Sequence, residues 1–221
     1  ASDQFTKDME IFGQIKDGRE RTGILAYRKE MWKTGEGMKR RLVLKLFSEG
    51  MHWRGTAELL MGRSLQLSIG AKGTPVPSYS VNISRHDQII QLERSAQKWP
   101  LFPEKFSFFI DTTKGPRFYR LRRNVIGIGA DYSLYDDRGR KIGKLDHRII
   151  NLGGSWIVKV DAAESYAKLE AVLQMFCALL KFNGAARRHV AKEVEQLHLG
   201  RAVRQLDTQE RNLYLNPRRR R

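Results

Sequence analysis

The residues best placed to do chemistry in this chain are arginines. Arg117, Arg120, Arg122, Arg123, Arg138, Arg140, Lys141, Lys144 and Arg148 stand against four acids, Asp131, Asp136, Asp137 and Asp146, a local surplus of five positive charges. If Tyr119 and Leu121 point into a core, Arg120 and Arg122 point out together, roughly 6.6 Å apart at about 3.3 Å per residue of strand. That spacing suits neighbouring phosphates, and guanidinium groups bind phosphate oxygens in bidentate fashion. Lys39, Arg40 and Arg41 form a second cluster at the start of a strand, and the segment from Ala185 adds ten basic residues against four acids. Over the whole chain, 41 Lys and Arg against 24 Asp and Glu give a net charge of +17 in 221 residues. Such a surplus costs self-repulsion, which a bound polyanion relieves. The candidate anion contacts are the arginines from Arg117 to Arg123, then Arg138, Arg140 and Lys141, and the Lys39 to Arg41 cluster.

The other reactive side chains lack the company that catalysis requires. His52, His86, His147, His189 and His198 are scattered without an HExxH pair, and Cys177 is the single cysteine. No metal, no cofactor and no disulfide framework is expected. Gly127-Ile128-Gly129 opens like a dinucleotide fingerprint, but Tyr132 stands where the third glycine belongs, so it reads as a turn. Gly55 to Ser64 has the wrong glycine spacing for a phosphate loop, and Arg63 replaces its lysine. Asp136 and Asp137 are adjacent, point different ways in a hairpin, and cannot act as a glycosidase pair. The expectation is a protein that is not an enzyme. Its cysteine usage suits a reducing, intracellular compartment, cytoplasmic or organellar.

The elements that must position the arginines are short strands. From Gly23 to Asp161 the sequence alternates with period two between Gly, Pro, Asn and Asp breaks. Leu65, Leu67 and Ile69 give one strand, and Tyr79, Val81 and Ile83 another. Further strands are expected at Arg41 to Phe47, Met51 to Ala57, Gln88 to Leu92, Phe106 to Ile110, Arg117 to Arg123, Tyr132 to Tyr135, Arg140 to Leu145 and Trp156 to Val160. With no long helical crossover they should be antiparallel, in a sandwich or closed barrel, and Asp136-Asp137-Arg138-Gly139 is a hairpin turn. Between Ala162 and Phe182, Tyr166, Leu169, Val172, Leu173, Phe176, Leu179 and Leu180 fall at helical spacing, and Asn183-Gly184 reads as the stop. Its densest apolar run, Ala171 to Leu180, is shorter than the roughly 20 residues a bilayer span needs, so a buried core helix is expected and no transmembrane span. Val190, Val194 and Leu197, opposite Arg187, Arg188 and Lys192, then form an amphipathic stripe that needs a cover: the barrel, a protein partner or a membrane interface. Arg218 to Arg221 form a tail. The division is 1–184, barrel with its helix at about 162–182, and 185–221, basic helical extension.

The stretch Arg117 to Val160, RFYRLRRNVIGIGADYSLYDDRGRKIGKLDHRIINLGGSWIVKV, resembles the LURP-one-related proteins. A strand ending in basic residues leads through a Gly-containing turn to a Y-x-L-Y-D strand, then x-G-x-x-I-G and an aromatic-rich strand. Together with the order of strands first and one very apolar helix near the end, this resembles the tubby-like superfamily, which also includes phospholipid scramblases. The resemblance implies a mainly β fold, a closed antiparallel barrel around a buried hydrophobic helix. Because tubby domains bind phosphoinositides, it also implies anionic lipid headgroups as the partner of the basic strand residues. The residues alone leave a second reading open, an architectural subunit of a ribonucleoprotein or other large assembly that binds phosphate backbone without base specificity. On either reading the 185–221 extension is expected to meet a protein partner.

Overall fold

Alternating side chains and tight turns bring the strands of the described residues into one sheet. The computed structural model describes residues 4–96, 103–125, 131–148 and 155–201. Its strands are β1 (Met9–Asp17), β2 (Glu20–Arg28), β3 (Val43–Ser48), β4 (Trp53–Leu59), β5 (Ser78–Ile83), β6 (Ile89–Arg94), β7 (Lys105–Thr112), β8 (Gly115–Arg123), β9 (Tyr132–Tyr135), β10 (Lys141–Arg148) and β11 (Ser155–Val160). Each pairs antiparallel with the next, in the order of the chain. Among the described residues β1 and β11 are not paired with each other, so the sheet has two edges and the expected closure into a barrel is not seen. The helices are α1 (Lys29–Lys33), α2 (Met61–Gly70) and α3 (Ala167–His198).

All eleven strands contribute side chains to one apolar cluster with α3. Leu169, Val172, Leu173, Met175 and Phe176 on α3 are fully buried, and Phe176 meets Phe106 and Tyr132 edge-on at 5.0 and 5.2 Å between ring centres. Among the described residues α3 is the one helix long and apolar enough to cross a membrane, and its apolar side chains are the core of this cluster. Cys177 is buried in the same helix, and burial pushes its thiol up. A thiol reagent is therefore expected to modify Cys177 only at the rate of unfolding, followed by absorbance with and without urea; prompt modification of the folded chain would contradict this packing.

Two expectations from the sequence, a strand at Leu65 to Ile69 and a helix stop at Asn183-Gly184, are corrected. Leu65, Leu67 and Ile69 lie on α2, not on a strand: Met61, Ser64, Leu65 and Ser68 are buried at helical spacing while Ile69 is 48% exposed. The Ser64 and Ser68 hydroxyls donate back to the Leu60 and Ser64 carbonyls and accept from the Ser78 and Val76 amides, tying the helix to β5. The first hairpin, β1 with β2, does not announce itself because irregular register near Ile11 and Gly13 breaks the alternation and leaves Ile11 exposed.

The helix also runs through the expected stop at Asn183-Gly184. Ala186, Val190 and Val194 enter the core beyond it, and burying them outweighs the roughly 1 kcal/mol a mid-helix glycine costs. The stripe is thus covered from within the chain, where His189 meets Trp32 of α1 edge-on at 6.0 Å. A Cβ at Gly184 would meet only the end of Arg188 at 3.7 Å. Gly184→Ala is expected to stabilise the protein by about 0.5–1 kcal/mol in urea melts, whereas a helix broken there would gain nothing. The remainder of the extension, with Arg218 to Arg221, lies outside the described residues, as do Gly127 to Gly129.

Candidate anion-binding surface

β8 alternates as expected: Tyr119 and Leu121 are fully buried while Arg120 and Arg122 are exposed. Cross-strand register then decides what stands beside them. Arg122 pairs with Lys105 of β7 and Ser133 of β9; Ser133 pairs with Lys144, and Lys144 with Lys159 of β11. Arg120 pairs with Ser107 and Tyr135, and Tyr135 with Lys141. Directly paired residues share a face, so these two rows lie on the outside of the sheet. Arg138 sits at the β9–β10 turn, where Asp136 Oδ1 accepts the Arg138 and Arg140 amides at 3.0 and 2.8 Å and Gly139 takes a positive φ of 76°. Arg138 itself is exposed.

Beside the basic rows lies an aromatic pair. Phe109 and Phe118 pair across β7 and β8 with ring centres 4.8 Å apart, and Phe109 is 57% exposed. The Arg120 guanidinium lies 5.5 Å from the Phe118 ring centre. Arginine and exposed aromatic therefore form one continuous surface, cationic on one side and apolar on the other.

The structure separates the ten expected contacts into two groups. Arg120, Arg122, Arg123, Arg138, Lys141 and Lys39 have no ion-pair partner among the described residues. Of these, Arg120, Arg122, Arg138 and Lys141 belong to the outer face and its turn. Arg123 follows the inward parity at the end of β8, and Lys39 ends a 3-10 turn at Gly37–Lys39.

The remaining four are engaged internally. Arg117 pairs with Glu164 at 2.7 Å, and Arg140 pairs with Asp136 and, at 3.2 Å, with Glu164. These contacts, the hydrogen bond foremost, hold both guanidiniums above their ordinary pKa. They clip the segment ahead of α3 to β8 and the β9–β10 turn. Arg40 donates to the Trp32 carbonyl at 2.8 Å with its guanidinium 4.2 Å from the indole centre, and Arg41 donates to Glu58 at 2.9 Å. Lys144 is likewise paired, with Asp146.

Lys105, Lys159, Phe109, Phe118 and Tyr135 went unnoticed in the sequence as surface partners. One signal was available: in Phe106-Ser107-Phe108-Phe109 the alternation fills the inward positions with Phe106 and Phe108, leaving Phe109 outward. Among the described residues no three His, Cys, Asp or Glu side chains gather as a metal site. No protein-family model, curated protein or solved structure matches the chain.

Proposed function

We propose that this chain is a non-enzymatic module that binds anionic membrane surfaces through the outer face of β7 to β11. The observation that carries the reading is the contiguity of Arg120, Arg122 and Lys141 with the pair formed by the exposed Phe109 and the partly buried Phe118. Cations near an anionic leaflet contribute about 1 kcal/mol each, and an aromatic that enters the interface adds apolar burial. The net charge of +17 supplies long-range attraction to the same surface. The resemblance to the tubby-like superfamily supports the same reading. Under it the sheet is a barrel around α3, a rigid frame for the headgroup contacts, and the protein works at an intracellular membrane face. The exposed Glu195 would be repelled by acidic lipid, and the apolar stripe of the extension is already covered by the chain, so the extension is not the membrane contact.

Vesicle flotation of the purified chain tests this reading. Binding is expected to phosphatidylcholine vesicles that contain phosphatidylserine or a phosphoinositide, and not to phosphatidylcholine alone. Salt-sensitive binding to single-stranded RNA with no flotation on any of these vesicles would favour the ribonucleoprotein reading, in which the same cations meet phosphate backbone.

A further inference from the structure

A second group of arginines lies away from the outer surface, at the end of the sheet where β6 stops, β7 starts and α3 leaves the core. Arg94, 6% exposed, donates through Nε to Glu104 and through Nη1 to the Pro75 and Ser95 carbonyls at 3.2 and 3.3 Å. Glu104 also accepts from the Tyr132 hydroxyl at 2.7 Å and from Asn183 Nδ2 at 3.4 Å. One turn further along α3, Arg187 is half-buried and its Nε has no hydrogen-bond partner among the described residues. The hydroxyl of Tyr79, a residue 1% exposed, is equally without a partner. Burial and then the like charge of Arg94 hold the Arg187 guanidinium below its ordinary range. Glu104, Arg94 and Arg187 are also the charges that act on Tyr79. Arg123 completes the group: its amide donates to the Glu104 carbonyl at 2.8 Å, and its charge reaches Tyr132.

Three guanidiniums against one carboxylate leave a surplus of two positive charges, and besides Arg187 Nε and the Tyr79 hydroxyl, the buried Ser95 hydroxyl and Asn183 Oδ1 of the same cluster have no hydrogen-bond partner among the described residues. Buried donors left unpaired are costly, and native proteins that keep them together with excess charge hold an ion, a ligand or water. We propose that this cluster binds a phosphate group, either inorganic phosphate or a phosphate monoester, with Arg187 and the Tyr79 hydroxyl donating to its oxygens while Arg94 and Arg123 balance its charge. A phosphate dianion cancels the surplus of two; a carboxylate would cancel half of it. None of these residues belongs to the outer rows, so the site stands or falls independently of membrane binding by Arg120 and Arg122.

Calorimetric titration of the full chain with inorganic phosphate, at ionic strength held constant with chloride, reads the site. Flotation on vesicles carrying phosphatidic acid, against phosphatidylserine vesicles of equal total charge, reads a lipid source of the same group. The expected result is saturable one-to-one binding in at least one arm, weakened roughly tenfold by Tyr79→Phe and by Arg187→Met. Tyr79→Phe removes an unsatisfied hydroxyl, so without phosphate its thermal midpoint is expected to stay level or rise, which keeps the test valid if Arg187→Met folds poorly. Binding of inorganic phosphate assigns the site to free phosphate or soluble monoesters. Binding confined to phosphatidic acid assigns it to a headgroup. Absence of saturable binding in both arms, or binding that Tyr79→Phe leaves unchanged, overturns the proposal and leaves water as the occupant.

Discussion

Leu173→Asp is expected to abolish folding. Leu173 is fully buried on α3, in the cluster to which all eleven strands contribute. A carboxylate there would have no cation or donor in place to meet it, and the cost is several kcal/mol, comparable with the whole stability of a domain. The variant should accumulate as insoluble protein, and Leu173→Ala, which leaves only a cavity, should fold with a loss of about 2–5 kcal/mol in urea melts. Soluble, folded Leu173→Asp at normal yield would mean that α3 is not the centre of the core.

Glu104→Ala should be nearly as damaging for a different reason. It strips Arg94 of its carboxylate inside the protein and removes the acceptor of Tyr132 and Asn183. Breaking one partner out of a buried pair costs about 3–5 kcal/mol, whereas replacing both with apolar residues of similar volume is often close to neutral. Glu104→Leu with Arg94→Met should therefore recover much of the stability that Glu104→Ala loses, as read by equilibrium denaturation. Burial alone would raise the Glu104 pKa, but hydrogen bonds from Arg94 and Tyr132 and the Arg94 charge outweigh it and hold the carboxyl below its ordinary 4.5. The stability this group contributes is thus complete above pH 4.5 and is lost as pH falls through the depressed native value. Glu104→Gln should flatten that part of the acid limb, and an unchanged limb would argue against the pair.

The strands after Arg41 are legible in the sequence because apolar residues alternate along them between turn residues, and in β5 the alternating Tyr79, Val81 and Ile83 are the side chains that join the core cluster, although Ser78 and Ser80 between them are buried as well. Where burial followed another rule, alternation misled. In α2 the residues that decide the conformation are Ser64 and Ser68, polar in type yet buried through bonds to α2 and β5. At Gly184 a local stop signal yielded to packing further along the helix. The outward arginines Arg120 and Arg122 were legible for the same reason as the strands. Arg117 and Arg41 were not, since their carboxylates lie 47 and 17 residues away in the chain and only folding brings them close, and Arg140 meets, besides Asp136 four residues away, Glu164 at a separation of 24. The aromatic half of the surface was hidden in the same way, because Phe109 and Phe118 become one feature only through the register of β7 with β8.

The proposed attachment of the outer face of β7 to β11 to acidic membranes is tested most directly by a vesicle partition coefficient measured for the wild type and for Arg120→Ala with Arg122→Ala. Two cations at about 1 kcal/mol each predict a loss of about 2 kcal/mol, roughly 30-fold, on phosphatidylserine vesicles. The loss should shrink as salt rises, and urea melts should be unchanged because both side chains are exposed. Equal partitioning of the wild type and the double variant, or wild-type binding indifferent to salt, would contradict the assignment of this surface.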